Sequence, residues 1–231
     1  MKTAVVGALL GLGLAGFCGP ASARPTTLVE LYTAQGCASC VKSGELLGAL
    51  DQKPHVLTLT FPVDYWDYLG WRDTFAKPEF SQRQHAYMRR LALHDVYTPQ
   101  VVVDGRLQAP AVDQAAVEAL IKRAGHGADD PPNIAIHRTR VTVGAGRAPG
   151  GGGEVWLVRY DPQDQKIKVT AGENRGRSVV EHDVVQDLVR LGTWKGAAKS
   201  FRAPPARDAS LKTVVLVQGS RGGGIIAVGG S

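Results

Sequence analysis

Two cysteines three positions apart, Cys37 and Cys40, are the residues of this 231-residue chain best suited to covalent chemistry. A thiolate is both a nucleophile and a soft metal ligand. Two thiols at this spacing can close a disulfide, or one can resolve a mixed disulfide formed by the other. Their setting favours reactivity. A β-type run, Leu28 to Tyr32, ends in a turn at Gly36, and a helix-like apolar segment, Val41 to Leu50, follows Cys40. Cys37 is therefore expected at or just before a helix N-terminus, where free N–H groups and the positive end of the helix dipole stabilise a thiolate. Cys40, one turn further in, is placed to resolve.

The compartment bears on what such a pair does. Lys2 followed by the apolar run Ala4 to Phe17 and the small-x-small site Ala21-Ser22-Ala23 reads as a secretory signal over residues 1–23. Cleavage there removes Cys18 and leaves Cys37 and Cys40 as the only cysteines of a chain that is secreted or periplasmic, with no stable membrane span. A single short-loop disulfide removes little loop-closure entropy, which argues against a purely structural use. The formal net charge is +6, of which the signal carries one. The basic residues are scattered, without a run of five and without a nucleic-acid motif, so a nucleic-acid partner is not expected.

The elements that must position the cysteines follow from periodicity. Leu46, Leu47 and Leu50 give the first helix one apolar face; His55 to Phe61 is a buried strand; Glu79 to Leu93 is a second helix. Val101 to Val103, the Asp104-Gly105 turn and Arg106 to Ala109 form a hairpin, and Asp113 caps a last helix ending at Ala124. This β-α-β-α-β-β-α order is that of a minimal α/β thioredoxin-like domain, over residues 24–126. Residues 127–133 read as a linker of Gly, Pro and acid. Residues 134–231 alternate in short runs with Gly-rich turns and predict a smaller all-β, sandwich-like C-terminal domain. Val184 to Leu191 is compatible with either a short helix or a strand.

The aromatic stretch Phe61 to Trp71 leaves the second strand where ligands gather in open α/β sheets. Tyr65, Trp66 and Trp71 are candidates for a peptide-binding groove, or else cap the core. Asp64 and Asp67 are candidate proton acceptors, with turn and cap roles the plainer reading. Gly150 to Gly153 and Gly222 to Gly224 read as hairpin tips, because no Gly-Lys-Ser/Thr follows either. The polar clusters Glu173 to Arg177 and Glu181 to Asp183 could reach over the redox site, with surface ion pairs the plainer reading.

Four blocks taken together carry a resemblance: Leu31 to Cys40, Val63 to Trp71, Val96 to Gly105, and Glu173 to Arg177. They resemble the secreted bacterial thioredoxin-like family catalogued as domain of unknown function 1223. Members usually carry a proline after the second cysteine, where this chain has Val41-Lys42. In thioredoxin-like proteins the proline before the hairpin is cis and its loop faces the disulfide, which implies a substrate-seating role for Thr98 and Pro99. The function expected is exported thiol–disulfide exchange, with Cys37 as nucleophile and no organic cofactor. The partners would be protein or peptide thiols and disulfides, together with an electron donor or oxidant protein. The alternatives are a copper(I) or other soft-metal module and a partner-binding protein whose disulfide fastens a turn.

Overall fold

The computed structural model describes residues 26–124 and 130–230. The expected signal peptide, with Cys18, and residues 127–129 of the expected linker lie outside them. Strand β1 (Thr27–Thr33) is buried along its whole length. It pairs in parallel with β2 (Val56–Pro62) and antiparallel with β3 (Gln100–Val103). Asp104 and Gly105, at φ +48° and +62°, turn β3 back into β4 (Leu107–Pro110), as an Asp-Gly hairpin requires. With α1 (Val41–Asp51), α2 (Pro78–Arg90) and α3 (Gln114–Ala124), the element order over this half is the expected one. Asp113 caps α3 through Ala116 N–H, 3.0 Å from Oδ1.

Alternation along β1 decides which helix lies on which face. Val29 and Leu31 join Leu46, Leu47 and Leu50 of α1 and Val117 of α3 in one core. Leu28 and Tyr32 point the other way, into a core with Phe80 and Tyr87 of α2.

The second half is built of strands: β5 (Ile134–His137), β6 (Arg140–Val143), β7 (Gly153–Asp161), β8 (Gln165–Lys168), β9 (Ser178–Glu181), β10 (Val184–Trp194), β11 (Lys199–Arg202), β12 (Lys212–Gly219) and β13 (Ile225–Gly230). Its main sheet is continuous with that of the first half, in the order β13-β12-β7-β10-β2-β1-β3-β4. The joint is Val184 beside Thr60, with Thr60 N–H donating to Asp183 O at 3.0 Å. The ambiguous segment is thus the strand β10. Register shifts between Val185 and Asp187 and between Arg190 and Gly192 interrupt its period of two, and this gave its apolar residues a helix-like spacing.

Face-to-face packing of sheets is confined to one region, where Val155, Leu157, Val215 and Val217 meet Val141, Val143 and Phe201 of the small β11-β6-β5 sheet. Elsewhere the long sheet curls round α2: Val158, Val185, Leu216 and Ile225 share the core of Phe80 and Tyr87. Ile225 N–H reaches Asp104 O at 2.8 Å, which brings β13 to the β3–β4 turn although five strands separate it from β3. The Gly222–Gly224 run is the β12–β13 hairpin tip, as expected. Gly150–Gly152 instead lead from β6 into β7, two strands of different sheets.

Candidate functional site

Cys37 and Cys40 form a disulfide with a Cα–Cα separation of 5.3 Å. Cys37 precedes a 3-10 turn, Ala38–Cys40, that runs directly into α1. Ala38 and Ser39 face solvent, but Cys37 and Cys40 are only 1% and 2% exposed. The sulfurs therefore sit against the α2-side core, with Tyr32, Ala34, Phe61 and Val63 in the same cluster.

Thr98 comes to the cysteines. The Thr98–Pro99 bond is cis, and Thr98 Oγ1 lies 3.4 Å from Cys37 Sγ. Trp66 Nε1 donates to the same Thr98 oxygen at 2.8 Å. With that oxygen receiving the indole N–H, the threonine proton is left to point at the sulfur. Ser39 Oγ is a second hydroxyl, 3.3 Å from Cys37 Sγ.

The aromatics divide. Trp66 reaches the disulfide through Thr98. Trp71 Nε1 donates to Gln35 Oε1 at 3.0 Å, and so supports the turn that precedes Cys37. Tyr65 faces α2, with its hydroxyl donating to Gln84 Oε1 at 3.1 Å; burial pushes that hydroxyl up to about 12. Tyr68, which the sequence did not single out, is the ring left open to solvent, 79% exposed. Asp64 accepts from Ser81 Oγ and Asp67 from Asp73 N–H, so both serve the loop itself.

The second half of the chain reaches over the cysteine turn. Glu173 Oε2 accepts Ala38 N–H at 3.1 Å, and Asn174 Nδ2 donates to Gln35 O at 2.8 Å and Cys37 O at 2.9 Å. The plainer reading of these residues, a surface ion-pair cluster, does not hold. They are instead a strap across the cysteine turn, and Asn174 is fully buried.

Below the turn lies a buried acid pair. Asp73 accepts N–H bonds from Gln35, Phe75 and Ala76, while both carboxyl oxygens of buried Glu181 lack a hydrogen-bond partner among the described residues. Burial, then the charge of Asp73, pushes Glu181 up to about 8. Burial raises Asp73 too, but its three N–H donors favour the ion, so Asp73 holds the charge and Glu181 the proton. The nearby Asp183, also read as a surface residue, is buried and pushed up to about 6 by burial and by Asp51, against its bond from Thr58.

Among the described residues, no group of three or more His, Cys, Asp and Glu side chains converges as a metal site would require. Also among them, no helix is long and apolar enough to cross a membrane.

Comparison with known proteins adds a family. The model of a family described as protein of unknown function (DUF1223) matches residues 28–218. Among solved structures, protein AGR_C_4864 from Agrobacterium tumefaciens superposes with a TM-score of 0.72 and 31% identity, over 91% of this chain and 95% of that one. HBP35 of Porphyromonas gingivalis superposes with a TM-score of 0.60 over 90% of this chain and 75% of that one. At 12% identity the second likeness speaks to the fold alone. No curated protein matches.

Proposed function

This chain belongs to the DUF1223 family, and from the surroundings of its disulfide we propose that it is an extracytoplasmic thiol–disulfide exchange protein acting through Cys37 and Cys40. The observation that carries the reading is the chain of donors Trp66 to Thr98 to Cys37, which directs a hydroxyl at one sulfur of a disulfide opening a helix. We read the unit from β1 to α3 as thioredoxin-like. Its support is the element order, the β2-β1-β3-β4 pairing, the position of Cys37 before α1, and the contact of Thr98, just before β3, with Cys37.

In the reducing direction the Cys37 thiolate attacks one sulfur of a substrate disulfide. The substrate S–S bond breaks, a mixed disulfide forms, and the leaving thiolate takes up a proton. The Cys40 thiolate then attacks Cys37 Sγ, re-forms Cys37–Cys40 and expels the second substrate thiolate. Two electrons pass to the substrate, and a dithiol partner restores the pair. The reverse sequence oxidises a substrate dithiol. Thr98 donates to the Cys37 thiolate in either direction, and exposed Tyr68 with half-buried Trp66 offers the peptide an aromatic surface.

One observation favours a second reading. Both cysteines are almost fully buried, as in a disulfide that only fastens a turn. A redox titration with alkylation and mass readout of Cys37 and Cys40 separates the two. A potential between about −270 and −120 mV identifies an exchanging pair; one below about −300 mV identifies a structural staple and refutes the proposal.

A further inference from the structure

Beside Arg90, the last residue of α2, the two glycine-rich runs come together. Residues 148–152 and the β12–β13 turn wall an open cleft of about 770 Å³, completed by Arg90, Arg106, Arg147 and Arg221. The wall holds these four guanidinium groups and no carboxylate, and none of the four forms an ion pair among the described residues. Four like charges converging without a counter-charge repel one another in the empty protein, and an anion entering the cleft relieves that repulsion.

The cleft is built rather than incidental. Ser220 joins its two loops: its hydroxyl donates to Gly151 O at 3.0 Å and its N–H to Gly152 O at 3.3 Å. Arg106 lies flat on Gly224, where a Cβ would stand 2.3 Å from its Nε, and Nη2 is anchored on Ile225 O at 3.1 Å. Its remaining N–H groups are thereby set before the cleft is filled. Arg221 occupies a left-handed position, φ +58°, that glycine or asparagine would take at lower cost, and so holds its side chain at the turn's tip. The backbone N–H groups of Gly150, Gly151 and Arg221 find no acceptor among the described residues.

We propose that this arginine and glycine cleft is a binding site for a small, multiply charged oxyanion of the diphosphate type. Guanidinium forks match the oxygens of such a group in pairs, and free N–H groups of glycine loops add contacts that side chains would obstruct. The site is independent of the cysteine chemistry.

Calorimetric titration of the intact protein with inorganic pyrophosphate, at an ionic strength held constant with NaCl, tests it. One saturable site is expected. Arg106→Ala and Arg221→Ala should each raise Kd about tenfold, or about 1.4 kcal/mol. Arg123→Ala, at the end of α3, should leave Kd unchanged. The altered arginines are exposed, and far-ultraviolet circular dichroism confirms folding. A parallel titration with ADP identifies the source: tighter binding assigns the group to an ester, equal binding to the free oxyanion, and either supports the site. Absence of saturable heat, or equal weakening by Arg123→Ala, overturns it.

Discussion

A buried carboxyl group without a partner makes Glu181 the residue through which alkali should act on this protein. The folded state holds its proton up to about pH 8, whereas the unfolded chain releases it near 4.5. The folded state therefore binds more protons across that window. The stabilisation is complete below the unfolded value and is lost as pH rises through the folded one. Asp183 has the same sign over a lower window, ending near 6, so the Glu181 window extends above that of Asp183. Glu181→Gln should flatten the fall of melting temperature between pH 6.5 and 8.5; an unchanged slope in the variant would show that Glu181 does not bind that proton. Thr98 gives the second prediction at this scale. A hydrogen bond to a charged group contributes about 1.5–3 kcal/mol, so Thr98→Val should slow alkylation of reduced Cys37 at pH 7 roughly tenfold or more. Thr98→Ser should restore most of the rate, and equal rates in all three proteins would remove the hydroxyl from the mechanism. Cys37 and Cys40 stand out in the sequence by their own spacing, and Thr98 and Pro99 through the resemblance alone. For Asn174 and Glu181 the plainer reading, a surface ion pair, fails, because both are buried. Asn174 touches Cys37 across 137 positions, and a contact that distant leaves no period or spacing in a single sequence.

At the scale of elements, the strap across the cysteine turn depends on how closely β9 approaches α1. Gly44 sits where a Cβ would stand 2.1 Å from Val180 O, a backbone atom that cannot swing aside. Gly44→Ala improves helix propensity by up to about 1 kcal/mol, yet it must push the β8–β9 hairpin off the helix. Overpacking of this kind costs about 1–3 kcal/mol. We expect net destabilisation in denaturant unfolding and faster reduction of Cys37–Cys40, because Asn174 and Glu173 precede β9 and move with it. Gly150→Ala, which meets nothing within 4 Å, is the neutral control. A Gly44→Ala protein as stable as the parent and reduced at the same rate would show that β9 does not guard the disulfide. The N-terminal elements were legible because their apolar periods are regular and their stops are Pro, Gly and Asp. In β10 the two bulges moved successive apolar residues off the alternation, so only pairing with β7 could identify a strand.

For the whole molecule, the composition shift near residue 130 signalled a boundary in the chain but said nothing about the sheet. The contacts that cross it, such as Thr58 to Asp183 at 125 positions apart, follow from β2 offering an edge that β10 fills. A buried network crosses as well. Arg83 donates to Glu30 Oε1 at 2.6 Å, to Gln218 Oε1 at 3.0 Å and to the Tyr87 hydroxyl at 3.0 Å, tying β1, α2 and β12 together. Burial works against the guanidinium charge, but Glu30 and the two tyrosines outweigh it and hold Arg83 above its ordinary value. Arg83→Met would strand Glu30 in the core, and loss of one member of a buried pair costs about 3–5 kcal/mol. Because the network and the α2 core draw on both halves, unfolding should be a single transition, and Arg83→Met should shift it without splitting it. A fragment ending at residue 126 would leave Phe80 and Tyr87 without Val158, Leu216 and Ile225, and Arg83 without Gln218. It should therefore lack the near-ultraviolet dichroism of the intact protein and melt without a sharp transition. If that fragment melts sharply with native-like aromatic signals, the halves are separate domains and the long sheet is a docking of two finished units.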